Sequence, residues 1–192
     1  MTNREKYILS IYEELSDMGK HENVKLVKNT VNDGIYIKKT LKNYNIEIYK
    51  ILKNRQIKGI PKVYEIIEDE KELIIIEEYI PGKELLIDGV VFNGIYQTLI
   101  CGEYIKCNVP GVFSEYMGKY PAEITDNQLN EVNKLVKKII EGFGLPWGRT
   151  HTEVKINDNG IWLMETAARG GGRYISSGIV PMKTDFDSCE FL

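Results

Sequence analysis

The stretch Thr150 to Arg173, THTEVKINDNGIWLMETAARGGGR, restricts the fold more than any other part of the chain. Apolar and polar residues alternate on both sides of DNG. Period-two alternation around a glycine turn specifies a β-hairpin and sorts the side chains by face. A three-residue hairpin loop commonly ends in a left-handed Gly, which assigns Asp158, Asn159 and Gly160 to the loop. Asn157 then faces Ile161, Lys155 faces Leu163, and Glu153 faces Glu165. Val154, Ile156, Trp162 and Met164 form the expected core face.

Two carboxylates directly opposite each other across strands repel. One remedy is a divalent cation. Mg²⁺ suits it, because hard oxygen ligands and substrate phosphates make its usual shell. The other is a solvated face, with the acids paired to Lys155 and a neighbour. Arg169 and the glycines 170–172 follow at once, and such a turn lets backbone approach a ligand closely. Arg149, Arg169 and Arg173 flank the hairpin, and arginine suits phosphate and carboxylate recognition. The combination points to a Mg-nucleotide site.

Most of the remaining chain also reads as hairpins. VKLVKN (24–29) and IYIKKTL (35–41) alternate around TVNDG, VYEIIE and ELIIIEEYI flank DEK, and LLIDGVVFNGIYQTLI (85–100) turns at NG. Tyr7 to Leu15 suits either strand or helix, SDMGKHEN (16–23) is a loop, and 101–124 is irregular. YNIEIYKILKN (44–54) has the spacing of a short amphipathic helix. ITDNQLNEVNKLVKKIIEGFG (124–144) is the clearest helix, with Leu129, Val132, Leu135, Val136, Ile139 and Ile140 on one stripe. Asp126 is its candidate N-cap and Gly144 its candidate C′ residue. PGK (81–83) divides the chain into expected domains 1–84 and 85–192, an α+β protein of two antiparallel sheets with helices.

A net charge of −3 gives no reason to expect nucleic acid. The longest apolar run is broken by Glu77 and Glu78 and cannot span a bilayer. Cys101, Cys107 and Cys189 form no disulfide framework, which together with the absence of a secretory signal predicts a cytoplasmic location. The cysteines are expected to be buried rather than reactive.

THTEVK…METAARGGG, extended back through EEYIPGKELLIDGVVFNG, resembles the C-terminal part of the ATP-grasp fold in its carboxylate–amine ligase branch. The resemblance implies ATP and Mg²⁺ as cofactors, Glu153 and Glu165 as metal ligands, and Arg169 facing the phosphates or an acyl phosphate. Ala167 stands where the family often has Asn. Residues 7–84 resemble instead the N-terminal lobe of a bacterial protein kinase, with a nucleotide cleft between the two parts. That resemblance implies Lys38 as the phosphate-binding lysine and Glu47 as its ion-pair partner. It makes EEYI (77–80) the adenine hinge, through Glu78 and the backbone of Tyr79 and Ile80. Its glycine-rich loop holds Gly19 alone. Lys38 lies opposite the apolar face of Ile35 and Ile37, and Lys39 is an alternative to it. Glu84 is a candidate for the ribose. For the floor of adenine, resemblance favours Met164 and the hairpin register favours Leu163. His151 reads as structural, within reach of Glu153.

Three functions follow from these features. The first is a ligase that activates a small-molecule carboxylate as an acyl phosphate for attack by an amine. Its substrates would be held by residues 101–124 and 170–182, by a partner chain or by a second copy. The second is a kinase-like phosphotransferase, and the third a non-catalytic nucleotide-binding module. Neither nucleic acid nor membrane is expected as a partner.

Overall fold

The computed structural model describes residues 1–18, 23–106 and 115–187. Gly19, Cys107 and Cys189, and part of the expected substrate segment, lie outside the described residues. The chain divides into two compact units, Met1–Ile80 with Lys106–Tyr116, and Pro81–Ile105 with Met117–Leu192. Each carries a five-stranded antiparallel sheet, as the alternating pattern requires.

The first unit opens with α1 (Asn3–Ser10), capped by Thr2 and Glu5 in a capping box. Its sheet is built from β1 (Tyr12–Asp17), β2 (Val24–Asn29), β3 (Ile35–Leu41), β4 (Val63–Asp69) and β5 (Glu72–Glu78), in the order β1-β2-β3-β5-β4. Tyr7 to Leu15, which suits either element by sequence, thus divides between the end of α1 and β1. Helix α2 (Ile46–Asn54) starts at Asn45, whose side chain accepts from the Glu47 N–H. Tyr44, Ile46, Tyr49 and Leu52 pack against Val63, Leu73 and Ile75. Cross-strand pairs share a face, so Lys39, opposite Ile75, lies on the α2 side of the sheet. Lys38, opposite Ile76, lies on the other side.

The second sheet is built from β6 (Lys83–Phe92), β7 (Ile95–Lys106), β8 (Glu115–Lys119), β9 (Trp147–Asn157) and β10 (Gly160–Ala167), in the order β10-β9-β6-β7-β8. Asn93 and Gly94 both take positive φ at the β6–β7 turn, the conformation expected of Asn-Gly. Helix α3 (Asp126–Gly142) covers one face of the sheet. Its Val132, Val136 and Ile140 pack on Leu85, Ile87, Val91, Val154 and Ile156. The N-cap is Thr125, not Asp126. Thr125 and Gln128 form a capping box, which satisfies two end amides where an aspartate one residue later would satisfy fewer. Gly144 takes positive φ just past the helix, as expected. Residues 101–124 are more regular than their composition suggests, since β7 continues to Lys106 and β8 follows. After β10 come a π-helical turn (Ile175–Ile179) and α4 (Val180–Lys183). Among the described residues no helix is long and apolar enough to cross a membrane.

Candidate functional site

The β9–β10 hairpin brings Glu153 opposite Glu165, as the sequence predicts, but by another route. The loop has two residues, with Asn157 opposite Gly160. Ile156 faces Ile161, Lys155 faces Trp162, and Val154 faces Leu163. A bulge at Met164 then takes up one residue, and Glu165 returns to Glu153. The shorter loop and the extra residue offset each other.

This register corrects two expectations. Trp162 shares the face of Lys155 and Glu153, not the α3 face. Leu163 stands opposite buried Val154, so it lies on the α3 side rather than beside Lys155. Met164 is the bulged residue between Leu163 and Glu165.

The face opposite α3 gathers charge. Along β9 it carries Arg149, His151, Glu153 and Lys155, and along β6 Glu84 and Asp88, which stand opposite Lys155 and His151. A row runs across the sheet from Glu165 through Glu153 and Leu86 to Gly102, over which the Tyr120 ring is seated. Glu153 is partly exposed and Glu165 exposed. Among the described residues no cluster of three or more His, Cys, Asp or Glu side chains forms a metal cage. A facing pair of carboxylates fits an ion that takes its remaining ligands from water and substrate phosphates, as Mg²⁺ does.

Next to the pair lies a buried polar chain that the sequence reading did not assemble. Asp88 is 2% exposed and His151 6% exposed. His151 Nδ1 is 2.9 Å from Asp88 Oδ2, and its Nε2 is 3.5 Å from Glu153 Oε1. Burial would lower the imidazole pKa. The Asp88 and Glu153 carboxylates outweigh it and raise the value to about 9, so the ring is protonated at neutral pH. The other Asp88 oxygen accepts the Gly171 N–H at 2.6 Å. The only sequence signal for this chain was an acid interrupting the apolar run LLIDGVV.

The glycine turn continues from there. Gly171 O accepts from Ser176 Oγ at 2.9 Å, and Gly172 O accepts the Ile175 N–H at 2.9 Å. Arg173 and Tyr174 both hold positive φ, an uncommon pair for residues with side chains. Arg169 is exposed, its Nη1 donating to Gly170 O at 3.1 Å.

In the first unit the expected Lys38–Glu47 pair does not form. Glu47, on the helix that covers the Lys39 side, pairs with Lys50 at 2.8 Å. Lys38, on the opposite side, pairs with Glu14 at 2.9 Å. The lysine on the α2 side is Lys39, 2.5 Å from the buried carboxylate of Glu77. Glu78 closes β5 and accepts the Lys62 N–H at 3.2 Å. Tyr79 is half-buried and Ile80 buried. Cys101 is a partly buried free thiol, pushed up to about 11 by burial and by Glu103, as an unreactive cysteine should be.

Comparison with known proteins gives the arrangement a family. No curated protein sequence matches the chain. Solved structures share its fold, two of them as follows. One is an L-amino acid ligase from Bacillus licheniformis, with TM-score 0.55 and 21% identity over 96% of this chain and 44% of that one. The other is a phosphoribosylglycinamide synthetase from Anaerococcus prevotii, with TM-score 0.50 and 15% identity over 74% of this chain and 40% of that one. The chain thus spans less than half the length of either. The family model described as ATP-grasp domain matches residues 24–177 and so takes in most of the first unit, which by sequence was likened to a kinase lobe. The protein belongs to the ATP-grasp family.

Proposed function

We propose that the chain is the nucleotide-binding part of an ATP-grasp ligase that joins a carboxylate to an amine. The observation that carries this reading is the cross-strand pairing of Glu153 with Glu165 on the face opposite α3. Opposed carboxylates repel each other, and a divalent cation held between them turns the pairing into a binding site.

In this reading Glu153 and Glu165 hold Mg²⁺, which when bound neutralises phosphate charge and fixes the phosphates for transfer. Arg169 and Lys38 supply further positive charge to the transferring group, and Lys38 exchanges a surface pair with Glu14 for a phosphate. Glu78 and the backbone of Tyr79 and Ile80 serve the adenine, Glu84 the ribose, and Met164 the floor of the base. An oxygen of the substrate carboxylate attacks the γ-phosphorus, the bond to the bridging oxygen breaks, and ADP leaves. The amine nitrogen then attacks the acyl carbon, phosphate departs and the nitrogen loses a proton. Catalysis is mostly positioning and charge compensation. The L-amino acid ligase and the synthetase of similar fold support a small carboxylate and amine as the substrate class.

The test is Glu165→Gln. It should abolish Mg²⁺-dependent nucleotide binding in calorimetry while leaving the unfolding transition intact. Unchanged affinity for Mg-ATP would refute the metal assignment. Trapping a hydroxamate with hydroxylamine during turnover separates a ligase from a phosphotransferase to a hydroxyl group.

A further inference from the structure

Asp88 sits on β6, opposite His151 of β9, with both side chains almost completely withdrawn from solvent. A buried carboxylate is retained only where its charge and lone pairs are satisfied. Here one oxygen is 2.9 Å from His151 Nδ1 and the other accepts the Gly171 N–H at 2.6 Å. The contact admits no extra atom. A Cβ on Gly171 would come within 2.9 Å of both Asp88 oxygens and of His151 Nδ1.

Each partner leads to a different part of the proposed site. His151 extends to Glu153, with Nε2 3.5 Å from Oε1. Gly171 belongs to the turn that begins at Arg169 and ends in two consecutive left-handed residues, Arg173 and Tyr174. Backbone in that region persists only where its surroundings over-determine it. The Asp88 bond to Gly171 and the Ser176 bond to the Gly171 carbonyl are such constraints.

We propose that Asp88 is a positioning residue which, through one carboxylate, orients Glu153 by way of His151 and anchors the Arg169–Tyr174 turn by way of Gly171. This inference rests on the reading of Glu153 as a Mg²⁺ ligand. In this role Asp88 acts through His151 and Gly171. It fixes the relative placement of one metal-binding acid and the arginine-bearing turn, two elements 16 residues apart in sequence by the numbering of Glu153 and Arg169. Groups that orient a metal ligand typically change metal affinity about 10–100-fold when lost.

The experiment measures binding of β,γ-methylene-ATP by calorimetry, with and without Mg²⁺, to the parent chain, Asp88→Ala, Glu153→Gln and the double variant. Asp88→Ala should weaken the Mg²⁺-dependent component about 10-fold or more, and weaken metal-free binding, through the Arg169 turn alone, by a smaller factor. In the Glu153→Gln background it should add little to the loss of that component, because its main route to the metal has gone. Asp88→Asn, which keeps an acceptor for Gly171, should recover part of the affinity. If Asp88→Ala does not fold, His151→Gln tests the route to Glu153 and should weaken Mg²⁺-dependent binding by a similar factor. Equal losses with and without Mg²⁺, or additive effects in the double variant, would overturn the proposal. A Glu153→Gln loss with no Asp88 or His151 effect would overturn it while the ligase reading stands. No Glu153→Gln effect would overturn both.

Discussion

His151 gives the molecule a specific dependence of stability on pH. Its ring is raised from an ordinary 6.5 to about 9, because the Asp88 and Glu153 carboxylates outweigh the cost of burying the imidazolium. The folded state therefore binds this proton more tightly than the unfolded state does. The stabilisation is fully present below about pH 6.5 and is lost as pH rises through about 9. The displacement corresponds to roughly 3 kcal/mol, a large part of the 5–15 kcal/mol typical of a domain. The perturbation is His151→Gln, which keeps a polar side chain and removes the titration. Urea unfolding of both chains from about pH 6 to about pH 10 gives the difference in unfolding free energy. Other groups titrate in that range in both chains and cancel in the difference. The parent's advantage over His151→Gln should shrink by roughly 3 kcal/mol across the window. An advantage that stays constant, or grows with pH, would refute the protonated bridge between Asp88 and Glu153.

Two further outcomes test other contacts. Gly171→Ala should cost about 2 kcal/mol in urea unfolding, because the new methyl meets Asp88 and His151 at 2.9 Å, whereas Gly172→Ala, with nothing within 4 Å, should stay within about 0.5 kcal/mol of the parent. Lys39→Met should cost about 3 kcal/mol by stranding the buried Glu77 carboxylate, while Lys38→Met, whose Glu14 partner is exposed, should cost less than about 1 kcal/mol; similar values for the two lysines would overturn their assignment to opposite faces of the sheet.

The sequence by itself determined eight of the ten strands, all but β1 and β8, with the hairpins, both longer helices and the meeting of Glu153 with Glu165. Those features depend on local period, and local period survives in any tertiary setting. The acid pair was legible even though the loop was read one residue too long, because the bulge at Met164 restored the count. The sides of Trp162 and Leu163 had no such compensation, since a single-residue slip exchanges the two faces of a strand.

Only the tertiary structure decided which faces are covered and which distant residues meet. Helix α2 covers the Lys39 side of its sheet, so the lysine that pairs with the buried Glu77 is Lys39, and Lys38 turns away from Glu47. The bond from Asp88 to His151 spans 63 residues and that to Gly171 spans 83. No periodicity reaches that far. The pairing of β6 with β9 is a choice made by the whole sheet, and it sets Asp88 beside His151, while the turn after β10 brings Gly171 to the same carboxylate.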